Sequence, residues 1–401
     1  MFSREEAEAM VSRDAIDYYV KTYRVDRNEA RKRLGTQLIA PNLQWPLKKE
    51  LGDELSGLWF DNDSGNWVVQ MTDEASSGAA KEVLERLGLG DSSRLDRVDY
   101  TRSEMLEAKS ELRVRLLGML GDKFEGGHLG LGAEAIEVKL PNDLDPEVRG
   151  QIAAAVGDVS QGPGRPPVEV AYLNPESLVV EPSACSHPRC DTMAAGVRVG
   201  CTAAFKGYME PGPGRISPGT NWFSAGHCLI YPGGSIGDPW SYEPLHGDLT
   251  QYGTVTAAYW GNGFGDAALY HRSSGPLGIP GSGVPGYVNW TTNSIRPIQG
   301  WKSQSAAVGT VACKHGAVTG TGCGTVTDND WDGAIHGETF TDMIRVDGHC
   351  VRRGDSGAPI TAGDVAVGIL SGTDYECPGF SINEPIHRPV NIWNNVPIVL
   401  P

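Results

Sequence analysis

All eight cysteines of this 401-residue chain lie at or after Cys185. That confinement splits the chain into two parts that cannot be stabilised in the same way. Residues 1–180 hold 22 Lys+Arg and 32 Asp+Glu, whereas residues 181–401 hold 12 and 18, so charged residues fall from 54 of 180 to 30 of 221. Glycine rises from 17 to 35 across the same boundary. A charged, helix-rich, cysteine-free part therefore precedes a glycine-rich, β-like part, and the length suffices for two or three domains with cores of their own. An even cysteine count in one module points to disulfides and an oxidising compartment, although counting alone leaves the connectivity open.

The net charge of −16, with no basic block in either part, argues against a nucleic-acid or membrane partner. No run approaches the length of a transmembrane helix. The start, Met1-Phe2-Ser3-Arg4-Glu5-Glu6, is charged and has no apolar h-region, so no secretory signal is visible. The cysteines outweigh that observation. We expect a secreted, extracellular protein whose natural start has been clipped or mis-assigned.

Along the first part, Ala7, Met10, Ala15, Tyr18 and Tyr19 recur at helical intervals over residues 3–24. Asp26 with Glu29 reads as a capping box for a second helix. Leu58-Trp59-Phe60 and Trp67-Val68-Val69 flank Asn62-Asp63-Ser64-Gly65 as a hairpin, followed by a helix through Ala80, Val83, Leu84 and Leu87 that stops at Gly88. Thr101 and Glu104 cap a helix reaching about Leu120. A strand-like Ala135–Leu140 then leads to Asp145-Pro146-Glu147 and a helix ending at Gly157. Two similar α/β units result, with His128 standing alone in them. Residues 161–182, rich in Gly and Pro, read as a linker with a processing site. Beyond it, short apolar stretches alternate with Gly, Pro, Asn and Ser, the pattern of an all-β barrel or sandwich. Residues 273–286 hold 11 Gly, Pro or Ser among 14 and are the expected joint between two β subdomains. The last eleven residues, with Ile392, Trp393, Val396 and Ile398, read as a docked terminal segment.

One stretch of the second part bears chemistry: Arg353-Gly354-Asp355-Ser356-Gly357-Ala358-Pro359. Alone it reads equally as a polar turn or as a nucleophile with glycines that aim N–H groups at an oxyanion. A serine nucleophile needs an imidazole, and the imidazole needs an acid to hold its tautomer. Upstream stand Ser224-Ala225-Gly226-His227-Cys228 and Gly265-Asp266-Ala267-Ala268-Leu269. The order His, Asp, Ser differs from those of the subtilisin and α/β-hydrolase folds, and the fifth residue of Gly354-Asp355-Ser356-Gly357-Ala358 is not the glycine an esterase elbow requires.

On these three motifs the chain resembles the trypsin/chymotrypsin family of serine proteases, in the bacterial streptogrisin and α-lytic protease branch. Ser224 stands where threonine is usual, and Ala358 where a second glycine is usual; both changes are small. The likeness covers about residues 185–401. It implies two six-stranded antiparallel β-barrels with the active site in the cleft between them, over residues 183–401. It also implies a serine endopeptidase in which Ser356 attacks a peptide carbonyl, His227 serves as base and then acid, and Asp266 orients His227. The N–H groups of Gly354 and Ser356 would form the oxyanion hole, and Ser371 and Thr373 would pair with substrate backbone. The implied disulfides are Cys201–Cys228, Cys313–Cys323, Cys350–Cys377 and, by remainder, Cys185–Cys190. Lys314 would pair with Asp355. Cys350 and Leu370 replace the residues that give trypsin-like and glutamate-selective pockets their preferences, so the expected preference is apolar.

The same resemblance makes residues 1–160 an α/β pro-region that assists folding and inhibits until removed, the chain's own partner besides a peptide or protein substrate. A monomer is expected, and no metal or cofactor. The rival reading is a catalytically inactive homologue acting in binding or adhesion. Two local patterns stay outside this scheme. Cys185-Ser186-His187-Pro188-Arg189-Cys190 lacks the second ligand pair a zinc site needs. Asp328-Asn329-Asp330-Trp331-Asp332-Gly333 opens like a calcium loop but has Thr339 at its twelfth position, so a solvated acidic turn is expected.

Overall fold

A computed structural model describes residues 2–121, 128–162, 164–175, 181–182, 201–202, 204–209, 220–230, 235–236, 239–242, 250–263, 265–272, 286–289, 294–316, 318–374, 376–393 and 395–397. Four helices open the chain: α1 (Arg4–Met10), α2 (Arg13–Tyr23), α3 (Arg27–Ile39) and α4 (Gln44–Leu51). The single helical stretch expected over 3–24 is two helices. Ser12 is extended at ψ 154°, and its hydroxyl accepts the Ala15 N–H to start a new helix.

Two copies of one topology follow. β1 (Leu55–Asp61) and β2 (Asn66–Met71) form the expected hairpin, α5 (Ser77–Arg86) crosses over, and β3 (Ser93–Arg97) returns parallel to β2. After α6 (Arg102–Leu120), whose capping box of Thr101 and Glu104 is complete, β4 (His128–Leu131) and β5 (Ile136–Pro141) form a hairpin. Next α7 (Pro146–Ser160) crosses, and β6 (Val168–Leu173) returns parallel to β5. Each hairpin–helix unit thus has a third strand that the sequence reading missed. One of them corrects the linker over 161–182. Its Gly/Pro-rich start is a loop among the described residues, whereas Val168–Leu173 is β6 and β7 (Glu181–Pro182) pairs with the second part of the chain.

That second part contributes β8 (Lys206–Met209), β9 (Thr220–Ser224), the short α8 (His227–Ile230), β10 (Pro239–Tyr242), β11 (Thr250–Trp260), β12 (Asp266–Arg272) and a hairpin of β13 (Gly286–Asn289) and β14 (Ser294–Pro297). It continues through β15 (Gly300–Trp301), β16 (Val311–Gly316), β17 (Gly320–Ile335), β18 (Glu338–His349), β19 (Pro359–Ala362), β20 (Val365–Thr373), β21 (Gly379–Pro385), α9 (His387–Trp393) and β22 (Asn395–Pro397). Strands β10-β11-β12-β9-β8-β22 form one six-stranded antiparallel sheet. Strands β16-β19-β20-β21-β18-β17 form a second, and pairing of β17 with β16 closes it into a six-stranded antiparallel barrel. Of the two six-stranded antiparallel barrels expected, one is closed, and the other stands as a six-stranded antiparallel sheet among the described residues. The terminal segment docks through β22, which pairs with β8, and through Trp393, stacked 6.4 Å from Phe223. Of the expected joint at 273–286, residues 273–285 lie outside the described residues and Gly286 opens β13.

The two parts are packed into each other. Helices α1–α4 share a core with the closed barrel, Met10, Ile16 and Leu38 lying in one cluster with Val311, Ile360 and Val365. Tyr18 and Tyr23 hydroxyls reach Thr325 of β17 at 3.0 and 2.7 Å. Gln37 donates to Gly309 O and accepts from Val311 N–H. Farther along β17, β4 adds as a neighbouring strand, so β4-β5-β6 extend the barrel's own sheet.

That extension overturns the solvated acidic turn. Asp328, Asp330 and Asp332 lie within β17 at 2, 6 and 5 % exposure. Lys109 of α6 supplies the compensating charge, its Nζ 3.2 Å from Asp330 Oδ1 and 3.1 Å from Asp332 Oδ1. Burial works against the Lys109 charge, but the surrounding carboxylates outweigh it and raise its pKa. Asp328 accepts the Leu131 N–H of β4 at 3.0 Å, and burial pushes it up to about 7.

A carboxyl whose folded pKa is raised stabilises the fold fully below its unfolded pKa, and that contribution is lost as pH rises towards the folded value. The stability gained by Asp328→Asn over the unsubstituted chain should therefore grow between about pH 4 and pH 7, by at most ~1.4 kcal/mol per unit, and level off above. Thermal unfolding of both chains across that range checks this. A difference independent of pH would exclude a buried, proton-binding Asp328.

Candidate active site

Ser356 sits in the loop between β18 and β19, flanked by Gly354 and Gly357 at φ +99° and +81°. Asp355 braces that loop. Its carboxylate accepts from the backbone N–H groups of Val318, Thr319 and Arg352 at 2.9, 3.1 and 3.0 Å, and from the Thr319 hydroxyl at 2.5 Å. Lys314 Nζ lies 3.8 Å from Asp355 Oδ2, both side chains being fully buried. Burial lowers the Lys314 pKa, while Asp355 opposes that fall. Lys314 is thus the outer layer of a site whose inner layer is neutral donors.

His227 begins α8 directly after β9, and Gly226 fits it there: a Cβ at 226 would stand 2.0 Å from Tyr259 O. Asp266 begins β12. The three elements bring three side chains together. His227 Nε2 is 2.8 Å from Ser356 Oγ and His227 Nδ1 is 2.6 Å from Asp266 Oδ2, while the His227 N–H donates to Asp266 Oδ1 at 2.9 Å. Ser371 Oγ donates to the same Asp266 Oδ2. All four side chains are fully buried. Such an arrangement lets a hydroxyl proton pass to an imidazole whose other nitrogen is held by a carboxylate. Trp260 packs edge-on against His227 at 5.0 Å.

Ser371 and Thr373, expected to meet substrate backbone, lie on β20. Here Gly372 and Thr373 pair antiparallel with Pro182 and Glu181 of β7. The Thr373 hydroxyl turns inward to donate to Phe380 O at 2.7 Å. Gly354 O accepts the Thr202 hydroxyl at 2.9 Å, and Ser356 O accepts the Thr202 N–H, tying the serine loop to the residue after Cys201.

Three disulfides are formed among the described residues: Cys201–Cys228, Cys313–Cys323 and Cys350–Cys377. They join the strand region before His227 to its helix, two paired residues of β16 and β17, and the approach to the serine loop to the segment after β20. Cys185–Cys190, and with it the zinc alternative at Cys185, His187 and Cys190, lies outside the described residues.

Glu384 escaped the sequence reading. It is fully buried in β21, accepts the Asp266 backbone N–H at 2.9 Å and the Tyr259 hydroxyl at 2.8 Å, and burial raises its pKa. The available signal was an acid inside Phe380-Ser-Ile-Asn-Glu384, a strand otherwise made of apolar and small polar residues.

Removing Lys314 leaves buried Asp355 with neutral donors only, and breaking a buried pair is costly. Lys314→Ala should lower stability by about 3 kcal/mol. Denaturant unfolding measures it; an unchanged stability would remove Lys314 from any role in bracing the loop.

No family model matches the chain. It is 24% identical over 398 residues to serine protease 1 of Rarobacter faecitabidus, a match covering 95% of this chain but 63% of that protein. It is 24% identical over 391 residues to streptogrisin-C of Streptomyces griseus, covering 90% of this chain and 70% of that one. The chain thus spans less than two thirds of the first of these relatives. Among solved structures, Thermobifida fusca protease A is 25% identical at a TM-score of 0.40, covering 52% of this chain and 99% of that structure. Cellulomonas bogoriensis chymotrypsin is 22% identical at a TM-score of 0.39, covering 52% and 100%.

Proposed function

From the premise that this chain is a homologue of bacterial chymotrypsin-like serine proteases, we propose that it is a serine endopeptidase of peptide or protein substrates with Ser356, His227 and Asp266 as its catalytic triad. The carrying observation is the continuous path Ser356 Oγ–His227 Nε2, His227 Nδ1–Asp266 Oδ2 at 2.8 and 2.6 Å. Ser356 Oγ adds to the scissile carbonyl as its proton moves to His227 Nε2. The carbonyl oxygen becomes an oxyanion against the N–H groups of Gly354 and Ser356, where one donor is worth about 2.7–4 kcal/mol. Collapse expels the amine, which takes the proton from His227. Water then repeats the cycle against the acyl-enzyme, with His227 again as base. Asp266 stays ionised and holds the imidazole through Nδ1. Substrate backbone lies along Ser371–Thr373.

The protein is made as a zymogen. Residues 1–160 form the pro-region-like domain, and residues 183–401 the protease. The pairing of Glu181–Pro182 with Thr373–Gly372 supports an inhibited precursor, since it puts the chain's own backbone where substrate would run. Cleavage then falls just beyond Pro182, because β6 holds the earlier part of the junction in a sheet. The shared core of α1–α4 with the barrel supports a folding role for the pro-region. The released protease, with its disulfides, acts outside the cell as a monomer.

A fluorophosphonate probe tests the triad. The processed protein should label at Ser356, and Ser356→Ala should abolish labelling and lower kcat on the order of 10⁶-fold. An unlabelled, inert protein would instead favour the non-catalytic binding homologue. For the zymogen reading, the Ser356→Ala chain should stay uncleaved while the unsubstituted chain yields a new N-terminus shortly after Pro182, read by N-terminal sequencing. Cleavage of the Ser356→Ala chain at the same bond, when purified alone, would rule out self-processing.

A further inference from the structure

Glu384 belongs to none of the three sequence motifs, yet it sits where the two sheets meet. It lies on β21, in register with Ile369 of β20, two residues before Ser371. Its backbone is therefore part of the closed barrel that carries Ser356. Its carboxylate faces the other sheet: Oε2 accepts the Asp266 N–H at 2.9 Å, and Oε1 accepts the hydroxyl of Tyr259 on β11 at 2.8 Å. Arg388 of α9 supplies the charge partner, its Nε 3.4 Å from Oε1. Gly265 makes the approach possible, because a Cβ there would stand 1.7 Å from Glu384 Oε2.

These contacts complete a pattern around Asp266. Its two carboxylate oxygens are occupied by His227 and by Ser371 of β20. Its backbone N–H is held by Glu384. Asp266 is thus tied at both its side chain and its main chain to the barrel bearing the nucleophile, although it belongs to the opposite sheet. A charge-assisted bond to a buried carboxylate is short and directional, and it fixes position more firmly than apolar packing does. The His227–Ser356 distance is set by how the two sheets are registered, and misplacement of about 1 Å can cost on the order of 10²-fold in rate.

We infer that Glu384 is a positioning residue: it accepts the Asp266 N–H and so registers the sheet bearing His227 and Asp266 against the barrel bearing Ser356. The inference rests on the triad reading above and adds a fourth side chain to it, acting through Asp266 without touching substrate.

The test is the rate of fluorophosphonate labelling at Ser356, which needs no knowledge of the preferred peptide, on protein produced from the full chain. Glu384→Ala should lower the maximal labelling rate about 10²-fold with little change in the half-saturating probe concentration. Glu384→Gln keeps an oxygen acceptor for the Asp266 N–H and should recover all but a few-fold of that loss. A Glu384→Ala protein that labels at the unsubstituted rate, whatever its thermal stability, would overturn the inference. So would a Glu384→Gln protein as slow as the alanine variant. If Glu384→Ala does not accumulate as folded protein, Tyr259→Phe, which leaves Arg388 as the partner of Oε1, should slow the maximal rate a few-fold at unchanged half-saturation; an unchanged maximal rate there overturns the inference equally. Failure of the unsubstituted protein to label would fall on the triad reading itself and take this one with it.

Discussion

A carboxylate taken out of water must find donors or an opposite charge, and this protein takes several out at its most consequential points. Asp355 gathers three backbone N–H groups, and the loop that makes those contacts becomes the loop that presents Ser356. Asp266 gathers His227 and Ser371, joining a strand of one sheet to a strand of the other. Glu384 gathers Asp266 and Tyr259 in the reverse direction. The acids of β17 gather Lys109, more than two hundred residues earlier in the chain. In each case satisfying one buried charge fixes the relative position of segments far apart in sequence. The active-site geometry is a by-product of that requirement.

The four cases differ in permanence. Asp355, Asp266 and Glu384 draw their donors from within the two sheets of the second part. The acids of β17 draw theirs from α6 and β4, which belong to the first part. If the first part is removed, the inner three keep their partners while the β17 cluster loses Lys109 and the Leu131 N–H. Asp328, Asp330 and Asp332 would then stand on an exposed strand edge. Rehydration and ionisation of Asp328, held near pKa 7 while buried, then lower the free energy of the separated state. Lys109 is thus the compensating charge that the β17 acids would lose.

Legibility in the sequence followed how local each cause is. The hairpin at Asn62–Gly65 and the caps at Asp26, Thr101 and Asp145 were readable, because each is settled by a few adjacent residues. Ser12 was missed because the apolar spacing runs straight through it, and its hydroxyl decides the break. β3, β4 and β6 were missed because a strand added at a sheet edge owes its existence to its neighbour more than to its own pattern. His128 looked isolated for that reason; it lies on β4, buried beside Trp331 at 6.1 Å. The acidic run of β17 was read as solvated because its counter-charge lies on α6. For the site, the residues His227, Asp266 and Ser356 were legible from short motifs in a telling order, while Glu384 was not, because its role comes wholly from a contact across two sheets.

The same distinction bears on why such a chain would carry its first part at all. The closed barrel is built from long-range antiparallel pairs, and its closure needs β16 to meet both β17 and β19. Loop-closure entropy must be overcome before such pairs gain anything, which slows nucleation of long-range antiparallel topologies in general. The first part is built largely of local helices and two compact hairpin–helix–strand units. Once formed, it offers a finished sheet edge, β4, to β17 and an apolar helical face to Val311, Ile360 and Val365. One surface pairs with β17 and the other covers residues of β16, β19 and β20, strands on which closure depends. Under the pro-region role proposed above, these contacts are where a prefolded template would lower the cost of closing the barrel.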